Sequence, residues 1–141
     1  MKQTIHNEKE LINFGKKLAQ KLSGGDILCL YGELGAGKTT LTKGVALGFD
    51  IKNEILSPTF TLLNILPIKS EKIKNLVHID TYRLNNEDEL LDIGIEDYLG
   101  EKNTICVIEW PEKIIGLLKN RKIKKIWLTH HAEGREIEVD F

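Results

Sequence analysis

The sequence predicts an α/β fold, a mixed and mostly parallel sheet flanked by helices with antiparallel hairpins, and three observations predict it. A short apolar run, Ile27 to Leu30, breaks into the glycines of Gly32-Glu33-Leu34-Gly35-Ala36-Gly37 and restarts as a helix at Lys38. A second run, Thr104 to Ile108, is apolar throughout, the pattern of a strand covered on both faces as parallel strands are. Before the first run, apolar residues recur at the three- and four-residue spacing of a helix. At 141 residues the chain holds one core and leaves no room for a substantial second one, so residues 1–141 are expected to form a single domain.

Taken in order, Asn7 caps the first helix, with Glu10 completing a capping-box-like pair, and Leu11, Phe14, Leu18 and Leu22 form its apolar face over roughly residues 8 to 22. Ser23-Gly24-Gly25 ends it, which makes the strand before the glycine loop the second element of the fold. The helix after the loop runs from Lys38 to Leu47, with Gly48 to stop it. Pro58 biases Ser57 away from helix, and Thr59 to Ile65 has the β-branched and aromatic content of a strand. Leu76 to Asp80 reads as its antiparallel partner, because the connection from Leu66 to Asn75 is too short for a crossover helix. The lysines of that connection, Lys69, Lys72 and Lys74, read as a solvated tip. A short capped helix over Asn85 to Leu91 follows, then a turn over Glu96 to Leu99 closed by Gly100. After the Thr104 to Ile108 strand come Glu109-Trp110-Pro111 and a helix over Glu112 to Leu118. Lys124 to Thr129 and Arg135 to Asp140 finish the chain as a hairpin turning around Gly134.

Composition excludes several function classes. With 20 basic and 21 acidic residues the formal net charge is -1, so no global field draws the protein to nucleic acid or membrane. Cys29 and Cys106 lie inside apolar runs and read as small buried hydrophobes; there is no C-x-x-C pair for zinc and no disulfide framework. The first residues lack the long apolar stretch of a secretion signal, and no run approaches a membrane span, so a cytoplasmic protein without a membrane partner is expected.

Gly32, Gly37, Lys38 and Thr39 fill the G-x-x-x-x-G-K-[ST] pattern between a strand and a helix, which specifies a P-loop NTPase fold. Glycines at Gly32, Gly35 and Gly37, with Ala36 between them, let successive N–H groups turn inward around phosphates. The helix start at Lys38, Thr39 and Thr40 adds unpaired donors and a positive dipole end. Lys38 is expected to neutralise the β/γ-phosphates and the Thr39 hydroxyl to bind Mg2+. Phosphoryl transfer also needs a carboxylate for the metal and a group that positions the nucleophile. Two apolar strands close on acids, at Asp80 and at Glu109, and both acids would lie beyond the carboxyl ends of strands, where ligands of α/β sheets bind. From spacing alone either can hold the metal while the other positions water. Thr59 is the candidate switch threonine that senses a γ-phosphate. Tyr82, Arg83 and Trp110 stand beside the two acids as candidate switch or partner contacts, Arg83 for phosphate or a carboxylate. His78, alone in its strand, reads as packing or as a neighbour of the site.

The segments Gly32 to Thr40, Ser57-Pro58-Thr59-Phe60-Thr61, His78-Ile79-Asp80-Thr81-Tyr82-Arg83 and Ile108-Glu109-Trp110-Pro111, in this order, resemble the bacterial tRNA threonylcarbamoyladenosine-biosynthesis ATPase family, TsaE, formerly YjeE. The resemblance implies a small ATPase, slow by itself, with ATP as substrate and Mg2+ as cofactor. It implies partnership with a threonylcarbamoyltransferase subunit and its non-catalytic paralogue, with tRNA reached indirectly through that complex. By the same resemblance Gly35 to Thr40 cradle phosphates, Lys38 acts in catalysis, Thr39 and Glu109 hold magnesium, and Asp80 takes the Walker-B-like position. Glu8, beside Asn7 at the first helix, and Arg135 fall where the family approaches the nucleotide. Two alternatives remain from the residues themselves. A small-molecule kinase would need an arginine-bearing lid, and Arg83, Arg121 and Arg135 are the only arginines; a nucleotide-switched binding module would hydrolyse only incidentally. A guanine-specific enzyme is disfavoured by the lack of an Asn-Lys-x-Asp motif.

Overall fold

The computed structural model describes residues 1–52, 55 and 62–141. In chain order it contains β1 (Lys2–Ile5), α1 (Glu8–Ala19), β2 (Ile27–Tyr31), α2 (Lys38–Gly48), β3 (Leu63–Pro67), β4 (Asn75–Asp80), α3 (Asp88–Asp92), β5 (Thr104–Glu109), α4 (Ile115–Leu118), β6 (Lys124–His131) and β7 (Gly134–Asp140). Among the described residues the strands form one seven-stranded sheet in the order β1-β7-β6-β2-β5-β4-β3. β6, β2, β5 and β4 are mutually parallel, and antiparallel pairings of β7 with β6, β1 with β7 and β3 with β4 complete the two margins.

The mixed sheet has the expected parallel centre because β2 and β5 are covered on both faces. Leu28, Leu30, Ile105 and Val107 face α1 and α2, while Ile27, Cys29, Cys106 and Ile108 face Leu90, Ile95, Ile114 and Leu118 on the opposite side. α1 and α2 cross at two glycines: a Cβ on Gly15 would lie 2.8 Å from the Gly44 Cα, and one on Gly44 would lie 2.4 Å from the Ile12 carbonyl oxygen. That approach seats α2, and with it the residues at its start, against the sheet.

The chain departs from expectation at several points. β1 is an unexpected strand: only Ile5 of its four residues is buried, and its register comes from β7, with Gln3 opposite Ile137, rather than from any pattern of its own. The strand before the glycine loop is therefore the third element, not the second. α1 stops at Ala19 and the chain reaches Leu22 through turns. Asn7 Oδ1 accepts the Glu10 N–H at 2.9 Å as a cap should, while Glu10 Oε2 accepts the N–H of His6 at 2.8 Å, one residue before the donor of a standard capping box. The described part of β3 ends at Pro67, a position an edge strand tolerates, and its expected start from Thr59 to Thr61 lies outside the described residues. The expected helix over Glu112 to Leu118 is divided into a 3-10 turn, Pro111–Ile114, and the four-residue α4. β6 extends beyond Thr129 because β7 pairs with it as far as His131 opposite Gly134.

Candidate functional site

Parallel β2, β5 and β4 end along one margin of the sheet, and their register sets Leu30 opposite Glu109 and Glu109 opposite Asp80. The glycine loop leaves β2 at this margin and turns back into α2. Gly35 and Gly37 have φ of +80° and +109°, conformations that side chains oppose, and a Cβ on Gly37 would also lie 2.7 Å from Leu11 Cδ2. Ala36 is buried against the core. Arg135, arriving on β7, holds the loop from outside: its Nε donates to the Ala36 carbonyl at 3.0 Å and its Nη2 to the Gly35 carbonyl at 3.1 Å. The N-terminus of α2 opens at this loop, an arrangement suited to an anion.

Glu109 is the centre of the side-chain cluster and is 2% exposed. Thr39 Oγ1, on the first turn of α2, lies 3.0 and 3.1 Å from its two carboxylate oxygens. His78 Nε2 lies 2.5 Å from Oε2. The period of two along β4 and β5 accounts for this meeting. His78 and Asp80 share one face of β4, Val107 and Glu109 share the same face of β5, and that is the face on which α2 packs.

Asp80 Oδ1 accepts the Tyr82 N–H at 3.0 Å. Burial raises the Asp80 pKa above its ordinary value; the Tyr82 N–H opposes the shift, the Glu109 charge adds to it, and His78 and Lys38 oppose it. Lys38 is 5% exposed. Its ammonium donates to the Gly32 carbonyl and lies 3.6 Å from the centre of the Trp110 ring. Burial lowers its pKa, against the attraction of Glu109, Glu112 and Asp80. Trp110 sits at φ +61° and packs on Tyr82 with ring centroids 5.1 Å apart.

The sequence-derived residues are thus largely brought together. Gly35, Gly37, Lys38, Thr39, Thr40, Asp80, Tyr82, Arg83, Glu109 and Trp110 line one cavity of about 370 Å³. Glu8 and Arg135 line a neighbouring cavity of about 290 Å³ that shares Gly35, Gly37 and Thr40 with the first. Gly32 and Ala36 line neither cavity and instead shape the loop behind them. Thr59 lies outside the described residues. The sequence marks His78 only as packing or as a neighbour of the site and gives Thr81 no role; alternation from Asp80 is the signal that His78 shares its face. The oxygens of Thr39, Glu109 and Asp80 are hard donors of the kind that suits Mg2+, which completes its shell with water or phosphate oxygens. No helix among the described residues is long and apolar enough to cross a membrane.

A family model described as threonylcarbamoyl adenosine biosynthesis protein TsaE matches residues 5–137. The chain is 38% identical to the tRNA threonylcarbamoyladenosine biosynthesis protein TsaE of Haemophilus influenzae, over 97% of this chain and 87% of that one. It is 36% identical to the protein of the same description from Treponema pallidum, over 99% of each. Among solved structures, the crystal structure of Bacillus subtilis YdiB superposes with a TM-score of 0.79 at 29% identity, covering 99% of this chain and 83% of that one.

Proposed function

This chain belongs to the TsaE family of threonylcarbamoyl adenosine biosynthesis proteins, and on that premise we propose that it is a single-domain, Mg2+-dependent P-loop ATPase. It hydrolyses ATP to ADP and phosphate in the cytoplasm, in support of tRNA threonylcarbamoyladenosine formation. It acts in complex with the threonylcarbamoyltransferase subunit and its non-catalytic paralogue, and reaches tRNA through them.

The observation that carries this reading is the contact of Thr39 Oγ1 with both oxygens of Glu109, 3.0 and 3.1 Å away, at the mouth of a glycine loop that also presents Lys38. In the proposed mechanism the loop N–H groups and the α2 N-terminus bind the phosphates, and Lys38 gives up its contact with Gly32 to neutralise the β/γ oxygens. Thr39 and Glu109 hold Mg2+, which when bound offsets charge developing on the phosphates. Asp80, set opposite Glu109 by the parallel register, orients the attacking water beside them. Glu8 and Arg135 border the rest of the nucleotide. Tyr82, Arg83 and Trp110 at the rim are available to a partner that completes the site.

An in vitro modification assay with the two partners tests the proposal, run alongside phosphate release from ATP. Wild type is expected to sustain both, and Lys38→Ala to lose nucleotide affinity and both activities. Glu109→Gln is expected to lose hydrolysis and, with it, repeated modification. Full modification by a Glu109→Gln protein that does not hydrolyse ATP would overturn the ATPase role in favour of a binding switch. Transfer of the γ-phosphate to a metabolite rather than to water would favour a kinase.

A further inference from the structure

We propose that His78 is the positioning residue for Glu109, fixing which carboxylate oxygen faces the magnesium site, an inference that rests on the nucleotide-binding reading above. Thr39 Oγ1 is nearly equidistant from the two Glu109 oxygens, at 3.0 and 3.1 Å, so its hydroxyl does not by itself define how the carboxylate is rotated. His78 breaks that symmetry. Its Nε2 engages Oε2 alone, at 2.5 Å, with the two side chains 0% and 3% exposed. Oε2 thereby holds the histidine as well, and among the described residues Oε1 is the oxygen left with only the threonine contact.

The cost of keeping this histidine points the same way. His78 Nδ1 is buried and has no hydrogen-bond partner among the described residues. An imidazole with one nitrogen unpaired in the interior destabilises the fold relative to an apolar side chain of similar bulk. Packing alone would therefore be better served by leucine or phenylalanine. The nitrogen that is paired is the one that touches the carboxylate at the end of β5, which ties the residue to Glu109 and not to the core. With Glu109 ionised, Nε2 carries the hydrogen and donates it, and loss of such an outer contact to a metal-holding carboxylate lowers metal affinity by about 10–100-fold in known sites.

The test compares wild type with His78→Phe, which keeps the bulk and removes the donor, and with His78→Gln, whose side-chain N–H₂ reaches about as far as Nε2. Binding of a non-hydrolysable ATP analogue is measured by calorimetry with EDTA and with Mg2+, and the melting temperature of each ligand-free protein is recorded. His78→Phe is expected to bind the analogue in EDTA as wild type does. It is expected to lose about tenfold of the affinity gained from Mg2+ while still unfolding in one cooperative transition, at a temperature below that of wild type because the buried Glu109 oxygen loses its donor. His78→Gln is expected to recover most of that gain. If His78→Phe does not fold, His78→Leu serves as the donor-free variant. A full Mg2+ gain in the donor-free protein overturns the positioning role, as does a His78→Gln protein as defective as His78→Phe at wild-type stability. Wild type that binds no analogue at all would instead overturn the nucleotide-binding reading on which the role depends.

Discussion

The Thr81 hydroxyl lies 2.5 Å from the carbonyl oxygen of Trp110 and 3.1 Å from that of Glu109, fully buried between the ends of β4 and β5. The Thr81 N–H also donates to the Glu109 carbonyl at 3.2 Å. Thr81 thereby braces the peptide groups before and after the Trp110 Cα, where the backbone holds φ at +61°, a conformation unfavourable for a bulky residue. Thr81→Val keeps the shape and removes the hydroxyl. It is expected to lower stability by about 0.5–1.5 kcal/mol, the net value of one hydrogen bond, because the Glu109 carbonyl keeps the Thr81 N–H and the Trp110 carbonyl keeps the Lys113 N–H. Urea unfolding followed by tryptophan fluorescence checks this, and Thr81→Ser, which keeps the hydroxyl, should lose less.

The crossing of α1 and α2 leaves no space for a side chain. A Cβ at Gly44 would lie 2.4 Å from a backbone oxygen of α1, which no rotamer change relieves. Gly44→Ala is therefore expected to destabilise the protein by about 1–3 kcal/mol through forced separation of the helices, despite alanine's higher helix propensity. A rise in the urea midpoint would show that the helices part without cost.

Asp80 sets a pH dependence of stability with a defined sign. Its folded pKa is raised above the ordinary value of 3.8, mainly by burial. Between the ordinary and the raised values the folded protein binds more protons than the unfolded chain, so this residue's contribution to stability falls as pH rises through that window. Asp80→Asn removes the buried charge. Melting temperatures measured from about pH 4 upward should show wild type losing ground to the variant, with Asp80→Asn the more stable at neutral pH. Parallel pH profiles would remove Asp80 as the cause.

Arg135 holds two adjacent loop carbonyls with one planar group, Nε on Ala36 and Nη2 on Gly35. Arg135→Ala is expected to weaken nucleotide binding about fivefold, equivalent to roughly 1 kcal/mol, the net value of one hydrogen bond. Arg135→Lys should restore little, because a single ammonium does not reproduce the guanidinium fork. Calorimetric titration of the ATP analogue reads both variants, and wild-type affinity in Arg135→Ala would show that the loop keeps its shape without the clamp.

Local chemistry explains what was legible from residues alone. The glycines at Gly35 and Gly37 take the left-handed angles that their pattern implied, and α2 starts at Lys38 because the loop ends there. Apolar runs were enough to infer β4 and β5, and the short connection from Leu66 to Asn75 and the turn around Gly134 to infer the two hairpins. β1 was not legible, since a four-residue strand with one buried side chain has no pattern of its own and depends on β7 for its place. The split before α4 was equally hidden: Trp110 and Ile114 adopt non-helical angles there, which no residue pattern in the run from Glu112 to Leu118 marks.

Sequence by itself determined the α/β class, the loop that turns into α2, the carboxylates closing β4 and β5, and membership in the family, because each of these is written in neighbouring residues or in motifs of fixed spacing. Tertiary structure alone decided how those parts meet. Parallel register puts Asp80 beside Glu109, the face shared by alternate residues brings His78 to the same carboxylate, and the Gly15–Gly44 crossing seats α2 where Thr39 reaches it. Such contacts join residues up to 70 positions apart. They arise from packing of whole elements, a property that no local stretch of chain carries.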